Sequence, residues 1–299
     1  NMSIKKIALG SAQFGMSYGI SNKLGQPGEC EVTKILEYAS KQGVDMLDTA
    51  PSYGNSESVI GGFIRSHSDC KHWNVITKVP VFKNGIIGSR QVDKLIESFE
   101  LSRNTLRQEL LYGLLIHSFD DIFLPGGARL LHAMEELKEK GIVKKIGVSL
   151  YSGEQIDRIL DNHHIDLVQL PVNILDQRLI DGGQLKRLKK HGVEIHVRSA
   201  FLQGLLLMKT ESISSWFDPI RGALEDFHAK ARKLNMSTLQ LALGFVQSIN
   251  EVDKVVVGVN TLGQLHEIIN SVSVYVNTEE FSDLSVSDPI YLNPSNWKK

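Results

Sequence analysis

Eight short apolar runs rich in β-branched residues recur along the chain, separated by segments of helical periodicity. The runs cover residues 7–10, 45–49, 74–79, 112–117, 145–149, 167–170, 194–199 and 254–258. Helical stretches between them cover 31–41, 92–107, 127–140, 153–162 and 178–190. In Leu130, Leu131, Met134 and Leu137 the apolar residues fall at a helix's spacing, with Glu135, Glu136, Lys138 and Glu139 on the other faces. Gly43, Gly141 and Gly192 each follow a helical stretch and precede a strand, where glycine takes the left-handed cap conformation without steric cost. Near-continuous apolar strands flanked by helices indicate a parallel sheet. Eight such units predict an α/β fold, a closed (β/α)8 (TIM) barrel, as a single domain over residues 2–299; Asn1, ahead of Met2, reads as a vector-derived remnant. At 299 residues the chain is long enough for one such barrel and needs no disulfide or metal staple.

Two features exceed a minimal barrel. The interval from Ser199 to Lys254 is about twice the usual unit, so a lid or cofactor strap over the carboxyl-end mouth is expected. From Ser271 onward the tail carries Pro289 and Pro294 and shows no helical period, which predicts irregular chain packed across the barrel. A formal net charge of −1 argues against a general nucleic-acid or anionic-membrane surface. No apolar run reaches membrane-spanning length. Cys30 and Cys70 lack metal-ligand spacing and read as reduced thiols of a cytoplasmic protein. No metal site is expected.

The segment GVDMLDTAPSYGNSESVIG, residues 43–61, ends a strand in Asp48, places Tyr53 in a turn, and opens a helix at Asn55-Ser56-Glu57, with Asn55 as N-cap. The third strand carries Lys78 at its end and the fourth carries His117. An acid, a phenol, an amine and an imidazole thus gather at the barrel end where active sites are built. A phenol's ordinary pKa near 10 is too high for easy proton sharing at neutral pH, and a nearby ammonium favours the phenolate. That ammonium in turn needs a carboxylate if it is buried. Asp48, Lys78 and Tyr53 therefore form a proton-donating relay, and His117 can orient a carbonyl oxygen or assist the transfer. A carbonyl protonated on oxygen must also receive a nucleophile on carbon. No Ser-His-Asp set, zinc triad or cysteine nucleophile is evident, and hydride from a bound nicotinamide fits that gap.

The pattern resembles the aldo-keto reductase superfamily, whose hallmark is an Asp, Tyr, Lys, His tetrad on a (β/α)8 barrel. GVDMLDTAPSYGNSE, ITKVP, LLIHS and KEKGIVKKIGVS carry the likeness, which extends from LGSAQFG to VVVGVNTLGQLHEI. The resemblance implies that Asp48, Tyr53, Lys78 and His117 are the tetrad, with Tyr53 the general acid in reduction of an aldehyde or ketone. It implies that Ser149 and Gln169 hold the nicotinamide carboxamide and that Gly10 and Ser11 lie beside its ribose. Asp48 is counted with the cofactor contacts as well. Ser199 opens the segment strapping the pyrophosphate, while Gly258, Asn260, Gln264 and Glu267 hold the adenosine end. Phe14, Tyr18 and Phe201 are candidate substrate-pocket residues. Three positions depart from the family pattern. Leu150 follows Ser149 where Asn is frequent, and Arg198 stands where an aromatic ring stacks on the nicotinamide. Gln264 replaces an Arg expected to meet a 2′-phosphate. NADP(H) is the family default, and the missing cation keeps NAD(H) open. A small carbonyl or alcohol is the implied partner; neither nucleic acid nor membrane is expected, and the oligomeric state stays open. Two other readings compete: a cofactor-sensing regulatory protein with little turnover, and a Schiff-base aldolase using Lys78. The latter would give Asp48 and Tyr53 no purpose.

Overall fold

The computed structural model describes residues 2–70, 73–83 and 85–298. Eight parallel strands close in sequence order, β1 pairing with β8. They are β1 (Ile7–Gly10), β2 (Met46–Asp48), β3 (Asn74–Lys78), β4 (Leu111–Ile116), β5 (Val143–Ser149), β6 (Leu167–Pro171), β7 (Glu194–Arg198) and β8 (Lys254–Val257). The main covering helices are α1 (Glu29–Gln42), α2 (Ser56–Ser66), α3 (Ser89–Thr105), α4 (Ala128–Glu139), α5 (Gly153–Asn162), α6 (Gln184–Lys190), α7 (Asp218–Lys233), α8 (Thr238–Gln247) and α9 (Leu262–Ser271). The expected eight-unit barrel is the observed architecture.

The helices bury their apolar stripes against the outer faces of the strands, which forms the large core. In α4 the buried set is Leu130, Leu131, Ala133, Met134 and Leu137, one face of a 3.6-residue period. Gly43 ends α1 with φ +96°, and Gly141 and Gly192 are left-handed too, as their places before strands predict.

Three local expectations change. Residues 178–190 do not form one helix: the segment Arg178–Asp181 ends at Gly182 and left-handed Gly183 (φ +79°) precedes α6, because that φ cannot continue a helix. Asn55 does not cap α2 with its side chain; its Oδ1 instead accepts from Gln26 Nε2 at 3.2 Å. The tail is built of short helical turns, Thr278–Leu284, Pro289–Leu292 and Pro294–Asn296, rather than wholly irregular chain. Phe281, Leu284 and Leu292 bury there, and Val286 N donates to Leu175 O beyond β6.

Candidate active site

Successive strand residues alternate between the two faces of a sheet, so residues two apart share a face. Ala8, Met46, Ile76, Leu115 and Leu167 form a small apolar cluster of their own inside the barrel. Two residues on, toward the carboxyl ends, the same faces of these strands carry Gly10, Asp48, Lys78, His117 and Gln169. Ser149 and Arg198 close β5 and β7 at that level, and Gly258 follows β8. All eight line one cavity of about 570 Å³ at the mouth. An apolar layer thus forms the floor, and the polar layer above it is the candidate site.

Lys78 is 2% exposed, so its charge needs a partner. Its Nζ donates to both carboxylate oxygens of Asp48 at 3.1 Å and to Thr49 O at 2.9 Å. Burial works against the ammonium, but the Asp48 carboxylate, helped by Tyr53, holds its pKa above the usual lysine value. Gln169 Nε2 donates to Asp48 Oδ1 at 2.8 Å, so a second donor fixes the carboxylate. Lys78 Nζ lies 5.0 Å from the centroid of the half-buried Tyr53 ring. The His117 ring meets Tyr53 edge-on at 6.4 Å. Burial, reinforced by the charges of Lys78 and Arg198, lowers His117 to about 4, so its imidazole is neutral near pH 7. Asp48, Tyr53, Lys78 and His117 therefore come together as the sequence predicts.

The turn bearing Tyr53 is wedged against the loop after β1. A Cβ on Gly15 would fall 1.7 Å from Tyr53 O, and one on Gly54 2.0 Å from Gly15 O. Ser11 Oγ donates to Asp48 O at 2.7 Å and accepts from Ser56 Oγ at 2.7 Å, joining β1, β2 and α2 beneath the turn. Glu57 of α2 accepts from Thr77 and Ser102, which locks that helix to β3 and α3.

Gly10, Ser11, Ser149, Gln169, Arg198, Ser199, Gly258, Asn260, Gln264 and Glu267 all line the cavity, as do Tyr18 and Phe201. Phe14 does not. It is fully buried in the outer core, because the chain leaves β1 as a helical turn, Ala12–Gly15, and strand alternation stops there. Arg198 lies with its guanidinium 4.2 Å from the Tyr151 ring centroid and donates to Leu150 O at 3.2 Å. Tyr151, absent from the predicted set, is two residues beyond Ser149 and continues the same alternation; that period was the signal for it. With His117, Ser118, Asp120 and Gln155 it also lines a side pocket of about 250 Å³.

The segment after β7 turns through left-handed Ser199, Leu202, Gln203 and Gly204, and Asn173 Nδ2 donates to Ser199 O at 3.1 Å. It meets the loop after β1 across the mouth: Gln203 Nε2 donates to Tyr18 Oη at 3.3 Å. Further along, Asn22 Nδ2 reaches Asn260 Oδ1 at 3.3 Å. Among the described residues no cluster of three or more His, Cys, Asp or Glu could hold a metal ion. No helix among them is long and apolar enough to cross a membrane.

The sequence profile described as Aldo/keto reductase family matches residues 6–287. The aldo-keto reductase YhdN of Bacillus subtilis is 24% identical over 293 residues, covering 88% of this chain and 87% of that protein. The NADH-specific methylglyoxal reductase of Escherichia coli is 27% identical, covering 68% of this chain and 69% of that protein. Among solved structures, aldo-keto reductase AKR11C1 of Bacillus halodurans superposes with a TM-score of 0.72 at 20% identity, covering 93% and 90% of the two chains. The glycerol dehydrogenase AKR11B4 of Gluconobacter oxydans gives 0.72 at 21% identity, covering 97% and 92%.

Proposed function

The chain belongs to the aldo/keto reductase family, an NAD(P)-dependent oxidoreductase family, and from that premise we propose that it interconverts a small carbonyl compound and its alcohol with Tyr53 as the general acid. The observation that carries the reading is the buried Lys78 ammonium, held by both oxygens of Asp48 and lying 5.0 Å from the Tyr53 ring. A nicotinamide cofactor supplies or accepts the hydride when bound. The residues present fit such a dinucleotide: the cavity is elongated, running from the tetrad to Gln264, Glu267 and Ile268. Gly10 and Gly258 stand in its wall, and Gly258 lets the Gln13 side chain lie close against the loop after β8, since a Cβ there would fall 2.2 Å from Gln13 Nε2. Ser149 and Gln169 would take the carboxamide, with Gly10 and Ser11 beside the ribose. The segment opening at Ser199 would strap the pyrophosphate, and Asn260, Gln264 and Glu267 would meet the adenosine.

Tyr53 gives its proton to the carbonyl oxygen, and the fixed positive charge of Lys78 stabilises the phenolate left behind. Asp48 keeps that ammonium charged, while neutral His117 can donate a hydrogen bond to the same oxygen and orient it. Tyr18, Phe201 and Tyr151 with the side pocket would receive the rest of the substrate. Their mix of phenols, amide and hydroxyl suits a small polar carbonyl compound, in keeping with the methylglyoxal named for one relative.

The test is single-turnover oxidation of bound NADH and NADPH by small aldehydes. Tyr53→Phe is expected to lower that rate by about a thousandfold, in the range of a lost general acid, with cofactor Kd within a few-fold. Retention of most of the rate would remove Tyr53 from the role of acid.

A further inference from the structure

Where β7 ends at the mouth, Arg198 brings a charge that no neighbour balances. It is half-buried and lines the cavity. Among the described residues it makes no ion pair, and the one acceptor on its guanidinium is Leu150 O at 3.2 Å. Its Nε is buried without a hydrogen-bond partner. A guanidinium has five N–H donors and keeps its charge throughout the working pH range. A partly buried charge left unpaired is costly, and so is a buried donor left unmade. Such a group in a cavity wall points to an anion that arrives with a ligand.

The protein does not supply that anion itself. Two carboxylates line the cavity. Asp48 is bound to Lys78, and Glu267 lies on α9, beyond β8. Asp120, in the side pocket, is exposed and forms no ion pair with Arg198. What the guanidinium meets instead is phenols. Tyr151 covers it at 4.2 Å. The Tyr18 ring is partly exposed, yet loss of water around its phenol, with Tyr53 nearby, pushes its pKa above the usual value against the pull of Arg198. Tyr18 therefore keeps its proton. Its oxygen accepts from Gln203 Nε2 at 3.3 Å, which leaves the O–H to donate. A fixed cation and a protonated phenol are a donor pair for an anion. The pair adjoins the tetrad, since Arg198 adds to the burial that lowers His117.

One free positive charge matches one negative charge. A carboxylate carries one and is planar, which suits the guanidinium fork, whereas a phosphate monoester carries about −1.5 to −2. We propose that the substrate is an oxo acid, an aldehyde or ketone whose own carboxylate is bound by Arg198 and Tyr18 while Tyr53 and His117 hold its carbonyl oxygen. This rests on the carbonyl-reducing reading above and gives its substrate a charge.

Steady-state kinetics with 4-oxobutanoate and 4-carboxybenzaldehyde, each against its methyl ester and with NADH and NADPH in turn, test it. The wild type is expected to reduce each acid with a kcat/KM at least about tenfold above that of its ester, through KM, with a gap that narrows as salt rises. Arg198→Met is expected to lower the acid-to-ester ratio by about thirtyfold. Arg198→Lys, which keeps the charge without the fork, should recover part of it. Tyr18→Phe should lower the ratio by about three- to tenfold. Esters reduced as well as acids by the wild type would overturn the proposal and leave carbonyl reduction standing. An unchanged ratio in Arg198→Met, with cofactor Kd weakened, would overturn it too and make Arg198 a cofactor contact alone. Preference for glyceraldehyde 3-phosphate over both acids would overturn the carboxylate as the anion. Reduction of none of these compounds with either nucleotide would overturn the reading of the site together with the proposal. Should Arg198→Met fail to fold, Tyr18→Phe and the wild-type ratio with its salt dependence decide.

Discussion

At the scale of single residues, the site depends on one buried charge and on the group that keeps it charged. Lys78 and Asp48 are both almost wholly inside the protein, and removing one partner leaves the other uncompensated. Asp48→Asn is therefore expected to cost about 3–5 kcal/mol in stability, well beyond a surface exchange, together with most of the turnover. Urea unfolding alongside single-turnover rates checks both effects; a stability change within about 0.5 kcal/mol would mean that the pair is not desolvated as described. His117 contributes a pH dependence of defined sign. Its pKa in the fold, about 4, lies below the ordinary 6.5. Between those values the unfolded chain holds a proton that the folded chain lacks, so stability falls as pH drops from about 6.5 to about 4 and this contribution stops growing below that. Since the ring is partly exposed, the loss is on the order of 1–3 kcal/mol. His117→Asn should flatten that limb of an acid-unfolding profile. In the wild type, kcat/KM should show no His117 step above about pH 5.

At the scale of elements, the position of Tyr53 is set by a loop-to-loop wedge rather than by its contacts with Lys78 and His117. The turn Ala12–Gly15 touches the Tyr53 turn so closely that neither Gly15 nor Gly54 can carry a Cβ without moving the backbone. Gly15→Ala should displace Tyr53 and lower kcat by about a hundredfold, the usual effect of a misplacement near 1 Å, with cofactor Kd changing far less. An unchanged kcat would show that the wedge yields. Strand alternation carries side chains to the mouth in a fixed order, so Asp48, Lys78 and His117 could be read from strand ends. Tyr151 obeyed that rule too, two residues beyond Ser149. Phe14 did not, because alternation has no meaning once β1 becomes a helical turn. Contacts between distant segments were not legible either: the bond from Leu262 N to Glu31 joins residues 231 apart, and no local pattern encodes it.

At the scale of the whole molecule, the tail is tied to the mouth through a chain of contacts that periodicity could not reveal. Its three short turns are too brief to show a helical period, yet they bury Phe281, Leu284 and Leu292. Phe281 packs edge-on to Phe245 of α8 with centroids 6.4 Å apart. Its carbonyl accepts from Gln177 Nε2 at 2.8 Å, and Gln177 ends the loop that begins after β6. Asn173 in that loop holds Ser199 O, where the segment over the cavity begins. Truncating Phe281 to Ala should cost about 3–5 kcal/mol, as for other buried aromatic rings. Because Gln177 loses its fixed acceptor when the turn shifts, the loop and Ser199 should loosen as well. Hydrogen exchange at residues 199–204 is then expected to rise, and cofactor Kd to weaken by several-fold at temperatures where the variant stays folded. Leu292→Ala is the control: it removes a buried side chain from the same tail but lies outside that chain of contacts. It should cost about 2–5 kcal/mol while leaving exchange at 199–204 and cofactor Kd unchanged. Equal effects of both variants on the segment would mean that global destabilisation carries the change, and that the tail has no particular hold on the mouth.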